Sequence, residues 1–423
     1  MIDGLEQRPV RGRAAKQERS ERVRSAIAEG VIAVLASHGV AGLTHRRVAL
    51  ASGASLAATT YYFASKADMV AEASNALLRR YLDVFADAAA HPAGEGYPAY
   101  RNFVSRVAAN GLERDRTPLL AWFEIMLDGT RQPDARALAR SWYVGFDQVW
   151  RQLAEGFDLG EPERAARAGV DITVGAMAHG LSLGWTPQQS IDAITGVLPA
   201  DTLLDAAMPD APEPTPARAG SKAEQTRYRL RQAAIQLLAE GGAEVLTYRA
   251  VATRSGLSAA APVYHFGSSD HLLAEAQRTL FAGQKARYRE VMADAFPGLT
   301  LETLVELTAV IFQREATEYG TLNVAGYAIW MEAARKPELR TYITPVLTDL
   351  HRAWQRLLKA LGVAGDCAFE ALCIQFLFVG AQIRVLASGS PPRELVRARN
   401  QLKEDITALA QGRHWLQSGG RPA

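Results

Sequence analysis

Apolar residues recur at helical spacing along this chain. Ile27, Val31, Val34 and Leu35 fall at i, i+4, i+7 and i+8, and Leu230, Ala234, Leu237 and Leu238 repeat the stripe further on, the pattern of a helix with one buried face. Strand-like alternation bounded by hairpin turns is absent, while Ala, Leu, Arg and Glu dominate, so the pattern predicts an all-α protein. Each stripe is followed by the same punctuation. Gly39 stops the first helix, Thr44 is placed to N-cap a short helix through Ala51, and Gly53 makes a turn. Ser55 then caps a third helix ending near Phe63, and Ser65-Lys66-Ala67-Asp68 opens a fourth with capping-box spacing. Gly242, Thr247, Arg254, Gly256, Ser258 and Phe266 stand in the same places after the second stripe. Two short helices joined by a glycine-bearing turn form a helix-turn-helix.

The recurrence is a duplication. At an offset of 203, LTHRRVALASGASLAATTYYFASKADMVAEA (43–73) lies on LTYRAVATRSGLSAAAPVYHFGSSDHLLAEA (246–276) without a gap. About twenty identities over residues 22–75 exceed a chance match several-fold. Downstream the match returns with slightly drifted spacing. Arg131, Pro133, Arg136 and Trp150 answer Arg335, Pro337, Arg340 and Trp354, and Val174-Gly175-Ala176 answers Val379-Gly380-Ala381. The unit is about 200 residues long, beyond the period of a solenoid. Five of the 19 prolines (Pro199, Pro209, Pro212, Pro214 and Pro216) fall between the copies, which reads as an extended, semi-rigid linker.

Composition narrows the class. With 423 residues, 48% hydrophobic and 22% charged, the chain is long enough for more than one core and has globular proportions. Cys367 and Cys373 make neither a disulfide framework nor a zinc spacing; six apart on a predicted helix, they read as buried structural residues. No signal peptide and no run of about 18 uninterrupted apolar residues is present, so a soluble, cytoplasmic protein without a membrane partner is expected. The net charge of +2 conceals an uneven distribution: residues 1–50 carry +4, residues 218–254 carry +4, and the remainder −6. Two basic islands on an acidic body suggest two meetings with a polyanion. The sequence offers no HExxH, GxSxG or phosphate-binding glycine loop and no metal-ligand cluster, so neither an enzyme nor a cofactor is expected.

The basic first helix, LTxRxVAxxSGxS, and then TTYYFASKADMV in one copy and PVYHFGSSDHLL in the other resemble the tetracycline-repressor (TetR) family of bacterial transcription regulators. The likeness covers about 60 residues of each copy; beyond it, only length and helical character match. Most members of the family are homodimers with one DNA reader per subunit, so this chain resembles two fused subunits. The resemblance implies an all-α fold of two repeats, each a helix-turn-helix followed by a larger ligand-binding and dimerisation domain, forming an intramolecular pseudo-dimer. The expected division is a basic arm at 1–18, a first reader at 19–75, a first helical domain at 76–207 and a linker at 208–220. A second reader at 221–278, a second helical domain at 279–414 and a tail at 415–423 follow.

Site expectations combine chemistry with that resemblance. Small residues Ala57, Ala58 and Thr60 on the third helix permit close approach to base edges, and Arg46 can pair with guanine. Tyr62 can donate to phosphate; Ser55 caps the helix, and Tyr61 and Phe63 read as core anchors. By family position Thr44 and Lys66 would hold phosphates, with Arg47 and the arm around Arg11, Arg13 and Lys16 adding charge. In the second reader Thr247, Arg249, Ser258, Ala260, Ala261 and His265 stand in the corresponding places. That reader loses two cations, Lys66 becoming Ser269 and Arg47 becoming Ala250, while Thr60 becomes Val263 and Pro262 replaces Thr59 within the recognition helix. It should bind more weakly, and it could be degenerate.

By resemblance the remaining helices would enclose a pocket for a small-molecule effector. Phe103, Trp122, Phe123, Trp142 and Phe146 in the first copy, with Phe312, Tyr327 and Trp330 in the second, suit an aromatic or apolar ligand. Gly169, Gly175, Gly180 and Gly184 fall where the family makes its dimer interface. The expected partners are thus operator DNA and a small effector, the protein acting as a repressor. The rival is a helical sensor or scaffold that has lost DNA binding.

Overall fold

A computed structural model describes residues 8–197, 200–205, 222–293 and 298–417. The proline-rich linker expected at 208–220 lies outside the described residues, as do the side chains of Arg11, Arg13 and Lys16. Among the described residues there are α-helices and single 3-10 turns and no strands.

The first repeat opens with α1 (Arg8–His38), α2 (His45–Ser52) and α3 (Leu56–Tyr62), so the described part of the expected basic arm, from Arg8 on, belongs to the first helix. Its body comprises α4 (Lys66–Ala90), α5 (Gly96–Leu112), α6 (Arg116–Gly129), α7 (Pro133–Gly156), α8 (Pro162–Leu183), α9 (Pro187–Thr195) and α10 (Ala200–Asp205). The second repeat runs α11 (Lys222–Gly241), α12 (Tyr248–Ser255) and α13 (Ala261–Phe266). Its body is α14 (Ser269–Met292), α15 (Leu301–Thr317), α16 (Gly320–Arg335), α17 (Arg340–Ala360), α18 (Ala368–Ala387) and α19 (Pro392–Ala410). Trp415 and Leu416 are buried, and the Leu416 carbonyl accepts from Arg101 of the first repeat at 2.9 Å. The segment from 415 to 417 is therefore packed rather than a loose tail.

Local chemistry sets the boundaries. Thr44 accepts from the Arg47 N–H, Ser55 from the Ala58 N–H, and Ser65 and Asp68 exchange both bonds of a capping box. Gly53 and Gly256 close their helices in the left-handed region at φ 69° and 64°. The second reader departs at Ser258, which does not cap α13. Its carbonyl accepts the Ala261 N–H at 3.0 Å in a turn, and the helix starts at Ala261. Pro262 explains this: it lacks an N–H and has its φ fixed near the helical value, so the chain begins the helix where that missing donor would be unpaired anyway. The proline shortens the recognition helix at its start without interrupting it.

The two bodies meet along α8 and α18, both buried almost throughout. Gly175 and Gly380 make the contact possible. A Cβ on Gly175 would lie 2.0 Å from the Phe376 carbonyl oxygen, and one on Gly380 1.9 Å from that of Asp171. Phe376 and Asp171 are themselves equivalents in the register that pairs Gly380 with Gly175, so each glycine meets the counterpart of what the other meets, as at a two-fold interface. The other expected interface glycines differ: Gly169 and Gly180 admit Tyr100 and Leu112 of their own repeat, and Gly184 ends α8 at φ 72° against Arg340. By length and composition α18 could cross a membrane, yet 94% of its apolar window is buried against protein.

Candidate nucleic-acid interface and ligand cavity

In the first reader Thr44, Arg46, Ser55, Ala57 and Thr60 are exposed and Ala58 is half-buried. Arg46 makes no ion pair among the described residues. Thr59 and Phe63 are buried, one turn apart, and anchor α3 to the core. Tyr61 therefore projects outward, 83% exposed, which corrects the expectation of a core anchor. Tyr62 is half-buried, its hydroxyl 2.9 Å from that of Ser20 on α1. The second reader repeats the arrangement: Pro262 and Phe266 are buried and Tyr264 is 84% exposed. Thr247, Arg249, Ser258 and Ala260 are exposed, with Ala261 and His265 half-buried. Burial and the nearby Arg227 guanidinium both lower the His265 pKa, keeping the imidazole neutral at pH 7. Sequence reasoning missed Tyr61 and Tyr264. The i, i+4 pairing of Thr59 with Phe63, and of Pro262 with Phe266, would have found them, because the residue midway lies on the far side of the helix.

Two expected phosphate-binding cations are engaged elsewhere. Lys66 is half-buried, with its ammonium 3.2 Å from the Ala41 carbonyl; burial lowers its pKa and Asp128 partly restores it. Arg47 donates to the Gly42 carbonyl at 2.8 Å and to Glu244, in the turn preceding α12, at 2.7 Å. The two readers are thus tied together, by a half-exposed pair that contributes little stability but fixes which edges face each other.

Both readers are also gripped from the opposite body. Arg131, between α6 and α7, donates to the carbonyls of Ala239 at 2.7 Å and Leu238 at 3.2 Å, in the last turn of α11. Its counterpart Arg335, ending α16, donates to the equivalent Ala36 carbonyl of α1 at 2.7 Å and to Glu124 at 2.6 Å. Each guanidinium donates to carbonyls in the last turns of the opposite reader's first helix and so places positive charge at a helix C-terminus.

A cavity of about 530 Å³ opens in the second body, within the range of small-molecule sites. Tyr327 and Trp330 line it, as does His179 from α8 of the first repeat. His179 donates from Nδ1 to the Gly175 carbonyl at 2.8 Å, and burial pushes its pKa down to about 4, so the ring is neutral with Nε2 as its acceptor atom. Of the other aromatic residues expected at a ligand, Phe312 is fully buried beside Phe378. Phe103, Trp122, Phe123, Trp142 and Phe146 belong to a continuous edge-to-face and tilted ring cluster in the first body; they pack as core and line no part of this cavity.

The same residues have matches among known proteins. The profile described as "Tetracyclin repressor-like, C-terminal domain" matches residues 99–200 and again 299–401. That of "Bacterial regulatory proteins, tetR family" matches residues 230–276, the second reader. The chain is 28% identical over 148 residues to the HTH-type transcriptional repressor KstR2 of Rhodococcus jostii (strain RHA1), covering 35% of this chain and 70% of that protein.

Proposed function

Because this chain belongs to the tetracycline-repressor family of transcription regulators and carries that family's units in tandem, we propose that it represses transcription as a pseudo-dimer within one polypeptide, releasing its operator when a small molecule enters the helical body. The observation that carries this reading is the pair of exposed faces on α3 and α13. Each sets an outward tyrosine beside small residues and follows a helix bearing an exposed arginine, Arg46 or Arg249, that makes no ion pair among the described residues. Small side chains let a helix backbone approach base edges, an arginine can read guanine bidentately, and the tyrosine hydroxyl can donate to phosphate or the ring stack on sugar.

The grip of Arg131 and Arg335 supports the coupling. A ligand acts on affinity only by favouring one arrangement over another. Here a shift of one body relative to the other pulls on the end of the opposite reader's first helix and changes the separation of α3 from α13. Half-sites about one helical turn or a multiple apart tolerate little change in that separation. The rival, a sensor that has lost DNA binding, is disfavoured by the outward faces and by the match of the second reader to the family's DNA-binding profile. Selection of bound sequences from random and genomic DNA with the purified chain is the test: a reproducible enriched motif supports the proposal, and sequence-independent recovery overturns it.

A further inference from the structure

The two bodies contain the same helices but not the same interior. In the first, α4 lies against α7 along most of its length, whereas their counterparts α14 and α17 touch only over a short stretch, and the cavity opens between them. Side chains explain the difference. Cavity-wall residues Gln284, Val346 and Leu350 stand where the first body has the rings of Tyr81, Trp142 and Phe146, while Tyr288 keeps a ring in the place of Phe85. The larger rings close on each other. Tyr81 stacks on Phe85 at 3.9 Å and meets Phe146 at 4.8 Å. Two polar edges of this plug are paired, Trp142 donating to Ser74 at 2.9 Å and Trp150 to the Tyr81 hydroxyl at 2.6 Å, while Trp122 Nε1 is buried beside them without a partner among the described residues. A packed, hydrogen-bonded ring cluster leaves no room for a guest.

The second body instead leaves open space with polar groups at its wall. Gln277 Oε1 and Gln382 Nε2 are buried at its wall without a hydrogen-bond partner, an arrangement a native interior rarely keeps unless something else supplies the bonds. At its mouth Arg289 and Arg356 are exposed and make no ion pair among the described residues, while Lys285 and Arg287 are neutralised by Asp349 and Glu315.

We propose that one chain takes one ligand, in the second repeat alone, and that this ligand is amphipathic: an apolar body, a hydrogen-bonding group between Gln277 and Gln382, and an anionic end beside Arg289 and Arg356. Its regulatory meaning rests on the effector reading above. A single cavity can serve both readers because α16 lines it through Asn323, Gly326, Tyr327 and Trp330, packs on α11 of its own reader, and ends in Arg335, which holds α1 of the other. The first body, filled and rigid, is the fixed half against which α16 moves.

Two fluorescent probes with one ring system test this: anilinonaphthalene sulfonate, which carries an anion, and phenylnaphthylamine, which does not. The unmodified full chain is expected to bind one sulfonate probe at saturation, with phenylnaphthylamine competing for the same place more weakly. Gly326→Phe should remove binding of both, because a Cβ there enters open space and the ring fills the cavity without moving backbone; retained helical circular dichroism checks its fold. Arg289→Glu with Arg356→Glu, both at exposed positions, should weaken the sulfonate probe by about ten-fold and leave the uncharged one nearly unchanged. Two probes per chain, or no saturable binding of either, overturns the proposal. So does sulfonate binding indifferent to both the plug and the charge reversals. One probe per chain, lost on plugging but without effect on operator affinity, would instead sustain the site and overturn the effector reading.

Discussion

Where α8 crosses α18, one two-fold-related pair of positions holds Asp171 and Arg384 and the other holds Phe376 and His179. The second pair is an edge-to-face ring contact at 5.1 Å. The first is a bidentate ion pair, Arg384 donating from Nε at 2.9 Å and from Nη2 at 2.7 Å, with both side chains almost inaccessible. Asp171→Val removes one partner and leaves the guanidinium with Glu394, 3.6 Å away and a third exposed, as its nearest remaining acid. A buried charge stripped of its main partner costs about 3–5 kcal/mol. Arg384→Met alone should cost a similar amount. The double variant replaces the pair with apolar groups of similar combined volume, and it should return to within about 1 kcal/mol of the unmodified chain, because the desolvation of both ions is also removed. The coupling between the two sites is therefore large and of opposite sign to the single losses. Urea unfolding followed by circular dichroism and tryptophan fluorescence reads all three. A single loss below about 1 kcal/mol, or a double variant as unstable as the sum of the singles, would refute the claim that this pair is buried and interdependent.

His179 gives the interface a pH limit. Its pKa falls from the ordinary 6.5 to about 4, so the unfolded chain takes up the proton first; stability is fully present above about pH 6.5 and declines towards pH 4, by at most about 3 kcal/mol from this group. Comparing acid unfolding of the unmodified chain with His179→Gln isolates that contribution, and identical profiles would dismiss it. In the readers, Arg46→Ala should relax preference in one half-site and Arg249→Ala in the other, each costing about 1–3 kcal/mol of binding; equal loss in both halves by either variant would show that the two readers are interchangeable. Tyr61→Ala and Tyr264→Ala should weaken DNA binding without altering thermal stability, since both rings are exposed; a drop in melting temperature would return them to the core. Lys66→Ala should lower the salt slope of binding by less than the full unit of a phosphate contact, given its tie to the Ala41 carbonyl; a full unit would place it on the backbone.

The duplication, the helical class and the caps of the first reader's short helices were legible because they depend on local rules. Thr44, Gly53, Ser55 and Ser65 each act within one turn of their own position, and the structure places their caps and turns as expected. What escaped the sequence depends on neighbours distant in the chain. The pairing of Arg47 with Glu244, on the other repeat, is one such contact. The aromatic residues of the first body look like pocket walls, yet ring content alone does not distinguish a lined cavity from a filled one; that requires knowing that Tyr81, Phe85, Trp142 and Phe146 converge on one point. Pro262 was legible as a disturbance but not in its outcome, because the helix could either break or start later.

The claim at the centre of this account is that one polypeptide supplies both halves of a DNA reader. It is tested most directly by the mass of the complex formed on a minimal operator, once selection has defined one, using sedimentation of the purified chain with that duplex. The account predicts one chain per duplex, on a site of two unlike half-sites that reflect Thr60 against Val263 and Tyr62 against His265. Two chains on the minimal duplex, bound to a strictly palindromic sequence, would contradict it.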